Sequence, residues 1–109
     1  MTNFQDLQQR ALEIRKKYET LNTQSGHDAW RAKEYMMGFV GDVGDLMKLV
    51  MAKENLRDID DVDEKLAHEL SDCLWCLFVL ADRYNIDLAA AFKNTMQELD
   101  DRISKEMAK

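Results

Sequence analysis

The stretch YMMGFVGDVGDLMKLVM, residues 35–51, is apolar along most of its length but is interrupted in the middle by GDVGD, residues 41–45. Acids and glycines are costly in a run that otherwise asks for burial in a helix. At 100° per residue, Asp42 and Asp45 are three apart and point from one face. Phe39, Val43, Leu46 and Val50 form an apolar stripe beside them, with Tyr35 and Leu49 near the carboxylates. Gly41 and Gly44 project to roughly the opposite side, each at a cost of about 1 kcal/mol relative to alanine. Close approach of another helix backbone is their simplest expected use.

The same pattern recurs downstream, where Glu69 and Asp72 are again three apart and are flanked by Leu66, Leu70, Cys73, Leu77 and Leu80. From Cys73 to Ala81 the helix is apolar all round, which calls for burial on more than one side. A chain of 109 residues cannot easily wrap such a helix alone, so a homo-oligomer, dimer or tetramer, is expected. If the two acid-bearing helices pack antiparallel, Asp42, Asp45, Glu69 and Asp72 meet near mid-helix. Four converging carboxylates repel unless a cation sits among them, and donors that are all oxygen suit Mg²⁺ or Mn²⁺. The competing reading is that the acids are merely solvated, with Lys48 pairing with Asp45.

The remaining sequence is consistent with one all-α domain over 1–109. There is no proline and there are only four glycines. Helices are predicted from about Asn3 to Leu21, Ala29 to Lys53, Asp63 to Tyr84 and Leu88 to Met107. NTQSGHD (22–28) is read as a turn ending in Asp28 as N-cap, 54–63 as a connector, and Asp87 as the last cap. The connector acids Asp58, Asp60, Asp61 and Asp63 lack the glycine and the closing glutamate of a calcium loop and read as a solvated cluster. Cys73 and Cys76 form a C-x-x-C deep in an apolar run, where buried small hydrophobes are expected instead of a redox pair.

Net charge is −6, which leaves no basic footprint for nucleic acid or an anionic membrane. The longest apolar run, 73–81, is about half a bilayer span. With no apolar signal-like segment at the start, a cytoplasmic chain is the expectation.

Taken together, GDVGDL (41–46) and HELSDCLWCLFVLADRYNIDLAAA (68–91) resemble the all-alpha nucleoside triphosphate pyrophosphohydrolases, the MazG-like and dCTP-pyrophosphatase-like proteins. That family pairs a Glu-x-x-Glu helix with an E-L-x-D-x-L-x-x-L helix, followed by a short turn and I-D-L. The resemblance covers roughly Glu34 to Lys93. It implies a four-helix bundle completed by oligomerisation, and Mg²⁺-dependent hydrolysis of a (deoxy)nucleoside triphosphate to the monophosphate and pyrophosphate, in a nucleotide-pool house-cleaning role. It also implies that Asp42, Asp45, Glu69 and Asp72 hold metal and act in catalysis. Lys33 and Lys93 are candidate phosphate contacts, and Trp30 is a candidate for stacking on the base. Trp75 is expected at a subunit contact. The sequence departs from the family at Asp42 and Asp45, each one methylene shorter than glutamate. It departs again at Gln97 and Asp100, with no Tyr-Pro following. A non-catalytic helical oligomer with weakened metal and nucleotide binding is the alternative, and a ligand-free partner-binding module is a second.

Overall fold

The computed structural model describes residues 3–109. It contains four helices and, among the described residues, no strand: α1 (Phe4–Gln24), α2 (Ala32–Lys53), α3 (Val62–Arg83) and α4 (Leu88–Met107). The all-α expectation holds: α4 falls at its expected bounds, and the ends of the other three helices lie within three residues of theirs.

Three helices stop in the same way. After α1, Gly26 takes a φ of +78°, and the amides of Gly26 and His27 donate back to the carbonyls of Thr23 and Asn22. After α2, Asn55 (φ +61°) and Leu56 donate to Ala52 and Met51; after α3, Asn85 (φ +55°) and Ile86 donate to Asp82 and Ala81. Each is a left-handed cap that satisfies carbonyls the helix leaves over. Asparagine tolerates this conformation better than most non-glycine residues, which explains its use at two of the three stops.

The start of α2 differs from the sequence expectation. Asp28 does not cap it; the helix begins at Ala32 with Arg31 as N-cap, whose amide donates to Glu34 Oε2 at 3.3 Å. Trp30 is the reason. Its ring lies over Gly38, where an added Cβ would meet Trp30 Cζ3 at 3.3 Å, and against Tyr35 with ring centroids 5.4 Å apart. A segment folded back onto α2 in this way cannot also be its first turn.

α3 is the centre of the structure, with α2 packed along one side and α1 along another. The connector returns the chain so that α2 and α3 run antiparallel, and Lys53 Nζ meets Asp63 Oδ1 at 2.7 Å across the turn. Asp58, Asp60 and Asp61 are exposed, as a solvated cluster should be. Between α1 and α3, the Trp75 indole N–H donates to the Ala11 carbonyl at 3.0 Å and Arg15 Nη1 meets Asp82 Oδ2 at 3.1 Å. Phe4 stands edge-on to Phe78 with centroids 5.1 Å apart. Trp75, expected at a subunit contact, is therefore packed within the chain.

The core is small: Ala11, Tyr35, Leu49, Cys73, Cys76, Phe78, Val79 and Ala81. No residue of α4 is buried. Gly41 and Gly44 have open space where a Cβ would stand, so no other helix of this chain uses the close approach they permit. The radius of gyration, 17.5 Å, exceeds the roughly 13 Å expected for a compact domain of this length.

Phe78 is 3% exposed at the junction of α1 and α3. Phe78→Ala is expected to cost about 3–5 kcal/mol, while Leu74→Ala, one turn earlier and 43% exposed, should cost under about 1.5 kcal/mol. Chemical denaturation followed by far-UV circular dichroism checks the contrast; equal losses would show that the α1–α3 junction is not where stability is held.

Candidate metal centre and aromatic cleft

α2 and α3 place carboxylates face to face. Asp42, Glu69 and Asp72 each offer an oxygen, and the three oxygens lie within 4.8 Å of one another. All three residues are half-buried, and Glu69 Oε2 is a buried atom with no hydrogen-bond partner. Such an orphan is costly unless something satisfies it. Beneath the group, the Cys76 thiol lies 3.9 Å from Asp42 Oδ2. At its edge, His68 Nε2 sits 3.1 Å from Asp72 Oδ2.

The electrostatics follow from the packing. Burial raises the Asp42 pKa above its ordinary value, and repulsion from Asp72 and Asp45 adds to that. Glu69 is raised in the same way, by burial first and then by Asp42, Asp72 and Asp45. Both thiols are buried and free. Burial and the neighbouring carboxylates push Cys73 up and push Cys76 to about 11, so the pair stays protonated and unreactive at neutral pH. The C-x-x-C pattern is packing.

Asp45 is not part of the close group. It is exposed, near enough to repel Asp42 and Glu69 but outside the three oxygens that converge. The cause is rotation. Residues three apart on a helix differ by about 60°, so when Asp42 points straight at α3 its partner is turned aside. Glu69 and Asp72 straddle the direction from α3 toward α2, and both arrive.

Lys33 and Lys93 are exposed, and no lysine is among the charges that act on Asp42 and Glu69. Trp30 does line a recess. Together with Tyr18, Asn22, Tyr35 and Trp75 it encloses a cleft of about 250 Å³ that contains no charged side chain. Tyr35 stacks edge-on to both tryptophans, with centroids 5.4 Å from Trp30 and 5.5 Å from Trp75. Tyr18 lies 5.7 Å from Trp75 on the other side. Sequence reasoning missed Tyr18, Asn22 and Tyr35 as cleft residues. Only the aromatic side chains at four of the five positions carried a signal, and nothing in their spacing joins α1 to α3. Asp72 is one turn before Trp75, and Asp42 is two turns after Tyr35, about 10 Å along the axis, so acids and cleft are neighbours.

No family model matches the chain, and neither a curated protein nor a solved structure matches it. No helix among the described residues is long and apolar enough to cross a membrane.

The raised carboxyls predict a pH dependence. The folded chain holds the Asp42 and Glu69 protons more tightly than the unfolded chain does. Their contribution to stability is therefore present below the ordinary carboxylate range and lost as pH rises through the folded-state values. In the absence of divalent cations, Asp42→Asn should melt higher than the unsubstituted chain at pH 7.5, with the gap closing toward pH 4. Thermal melts across that range measure it; a gap that is absent or reversed at pH 7.5 would show that the carboxylates do not strain one another.

Proposed function

We propose that this chain is a Mg²⁺-dependent nucleoside triphosphate pyrophosphohydrolase, releasing pyrophosphate and a nucleoside monophosphate, and that it works as a homo-oligomer. The observation that carries the reading is the convergence of three half-buried carboxylates from two helices around an unpartnered Glu69 oxygen. An all-oxygen, anionic donor set of this kind fits a hard divalent ion, and Asp42, Glu69 and Asp72 are the residues that would hold it. When bound, Mg²⁺ supplies the positive charge that lets a triphosphate approach a chain of net charge −6.

The chain's own groups divide the remaining work. The aromatic cleft offers ring faces and the Asn22 amide, enough to stack a nucleobase and hydrogen-bond its edge. A base held there directs its phosphates toward the acids of the adjacent turns. In the hydrolysis, a water oxygen bonds to the α-phosphorus, the bond to the departing pyrophosphate oxygen breaks, and the proton of the water passes to a carboxylate. We assign that proton to Asp45, because it lies outside the metal-holding group and stays exposed one turn from Asp42. The exposed Lys33 and Lys93 have no role in this scheme. Clearance of non-standard or excess nucleotides is the physiological role that goes with the activity.

Two measurements test this. With a panel of (deoxy)nucleoside triphosphates and Mg²⁺, pyrophosphate release is expected and should fall by about 100-fold or more in Asp72→Asn. Mg²⁺ at about 100 times its Kd should also stabilise the fold by about 2.7 kcal/mol, and this gain should be lost in Glu69→Gln. A thermal gain without pyrophosphate release from any nucleotide, with Mn²⁺ also tried, would favour the non-catalytic oligomer. Neither effect would leave only the helical scaffold.

A further inference from the structure

Four of the five residues around the recess beside the acids are aromatic, and we infer that it is an aromatic cage for a methylated ammonium group. The inference goes beyond the hydrolytic reading: where both hold, such a cation competes with the nucleobase for the recess.

The rings come from four separate parts of the chain: Tyr18 from α1, Trp30 from the segment before α2, Tyr35 from α2 and Trp75 from α3. Tyr35 is buried and Trp75 half-buried, whereas Tyr18 and Trp30 are 50% and 44% exposed. Neighbouring rings are steeply inclined to one another. The angle is 71° for Trp30 with Tyr35 and for Tyr35 with Trp75, and 53° for Tyr18 with Trp75. A flat guest stacks on one plane at a time, and planes at these angles cannot all meet it. A compact, rounded head group touches several of them together. The centroids of neighbouring rings are 5.4 to 5.7 Å apart. That is close enough for one cation to lie within about 6 Å of more than one ring, the range over which a ring face attracts it. The volume, about 250 Å³, falls below the roughly 300–1,000 Å³ of pockets for drug-sized ligands, so a small head group suits it.

The charge around the recess selects the sign of the guest. No charged side chain lines it, so a cation seated there depends on the electron-rich ring faces. The surrounding field favours that cation. Net charge of the chain is −6, and Asp42 and Asp72 lie on the adjoining turns of α2 and α3. The Tyr35 pKa is raised, by burial first and then by Glu19, with Arg15 and Arg83 opposing. Arg15 is itself held between Glu19 at 3.6 Å and Asp82 at 3.1 Å. Methylation of the guest matters for a separate reason. A primary ammonium facing ring carbons leaves its N–H donors without acceptors, which is costly away from water. Methyl groups remove those donors, keep the charge and pack on the rings. Asn22 supplies the single amide, a hydrogen-bond partner for the rest of the guest molecule.

Titration of the intact chain, followed by the two tryptophan indole N–H signals in proton–nitrogen correlation spectra, tests the inference. Choline is expected to shift both signals saturably at millimolar concentration or below. Its neutral isostere, 3,3-dimethylbutan-1-ol, has the same shape without the charge and should bind at least about fivefold more weakly. Equal or tighter binding of the alcohol overturns the inference, and so does the absence of saturable shifts with choline. Nε-trimethyl-lysine amide, titrated in parallel, separates a methylated protein side chain from a free solute as the source. Tighter binding of either one assigns the source, and both results uphold the cage. Trp30→Leu, with helical circular dichroism retained, should weaken choline several-fold on the remaining Trp75 signal; an unchanged Kd overturns the inference. Should that variant not fold, choline against its isostere decides alone. No nucleotide enters the test, so its outcome is separate from that of the hydrolysis assay.

Discussion

Three carboxylates held together between two helices are an arrangement that repels itself. Asp42, Glu69 and Asp72 meet because the apolar residues around them leave α2 and α3 only one good way to pack. Tyr35 and Leu49 on α2, with Cys73 and Cys76 on α3, bury the facing stripes. The acids lie in the same register and must follow. The hydrophobic term is spread over the length of the pair, whereas the repulsion is confined to one turn, so packing wins and the carboxyls respond by holding their protons more tightly. A donor set strained in this way favours whatever positive charge relieves it.

The second constraint is that α3 serves three surfaces at once. One side takes α2, another takes α1 through Trp75, Phe78 and Asp82, and the third carries Leu70 and Leu77 into the open. A helix that is apolar all round needs neighbours all round. Within one chain of this length there are two such neighbours, while α4 buries none of its own residues. The small core and the large radius of gyration are two views of one deficit.

Much of this was legible in the residues. Four helices, the turn at 22–28, the connector at 54–63 and the inert burial of the two cysteines follow from local pattern, and the meeting of Asp42 with Glu69 and Asp72 follows once α2 and α3 pack antiparallel. The rest depended on tertiary facts that spacing does not encode. Asp45 shares a face with Asp42 in outline, yet a 60° offset suffices to leave it outside. The start of α2 moved because Trp30 folds over Gly38, a contact made possible by a missing side chain eight residues away. The cleft draws on α1, on the segment before α2, on α2 itself and on α3. Its members become neighbours only once the Trp75 indole is anchored on the Ala11 carbonyl.

That anchoring has a practical corollary. The sequence contains two tryptophans, and both line the same recess. The intrinsic fluorescence of the molecule is therefore a local signal, insensitive to events on α4 or at the connector. It reports whether α1 is docked and whether the recess is filled. Undocking of α1 frees the Trp75 indole from its carbonyl and exposes it to water, shifting emission to the red, whereas an aromatic guest stacked between the rings quenches it.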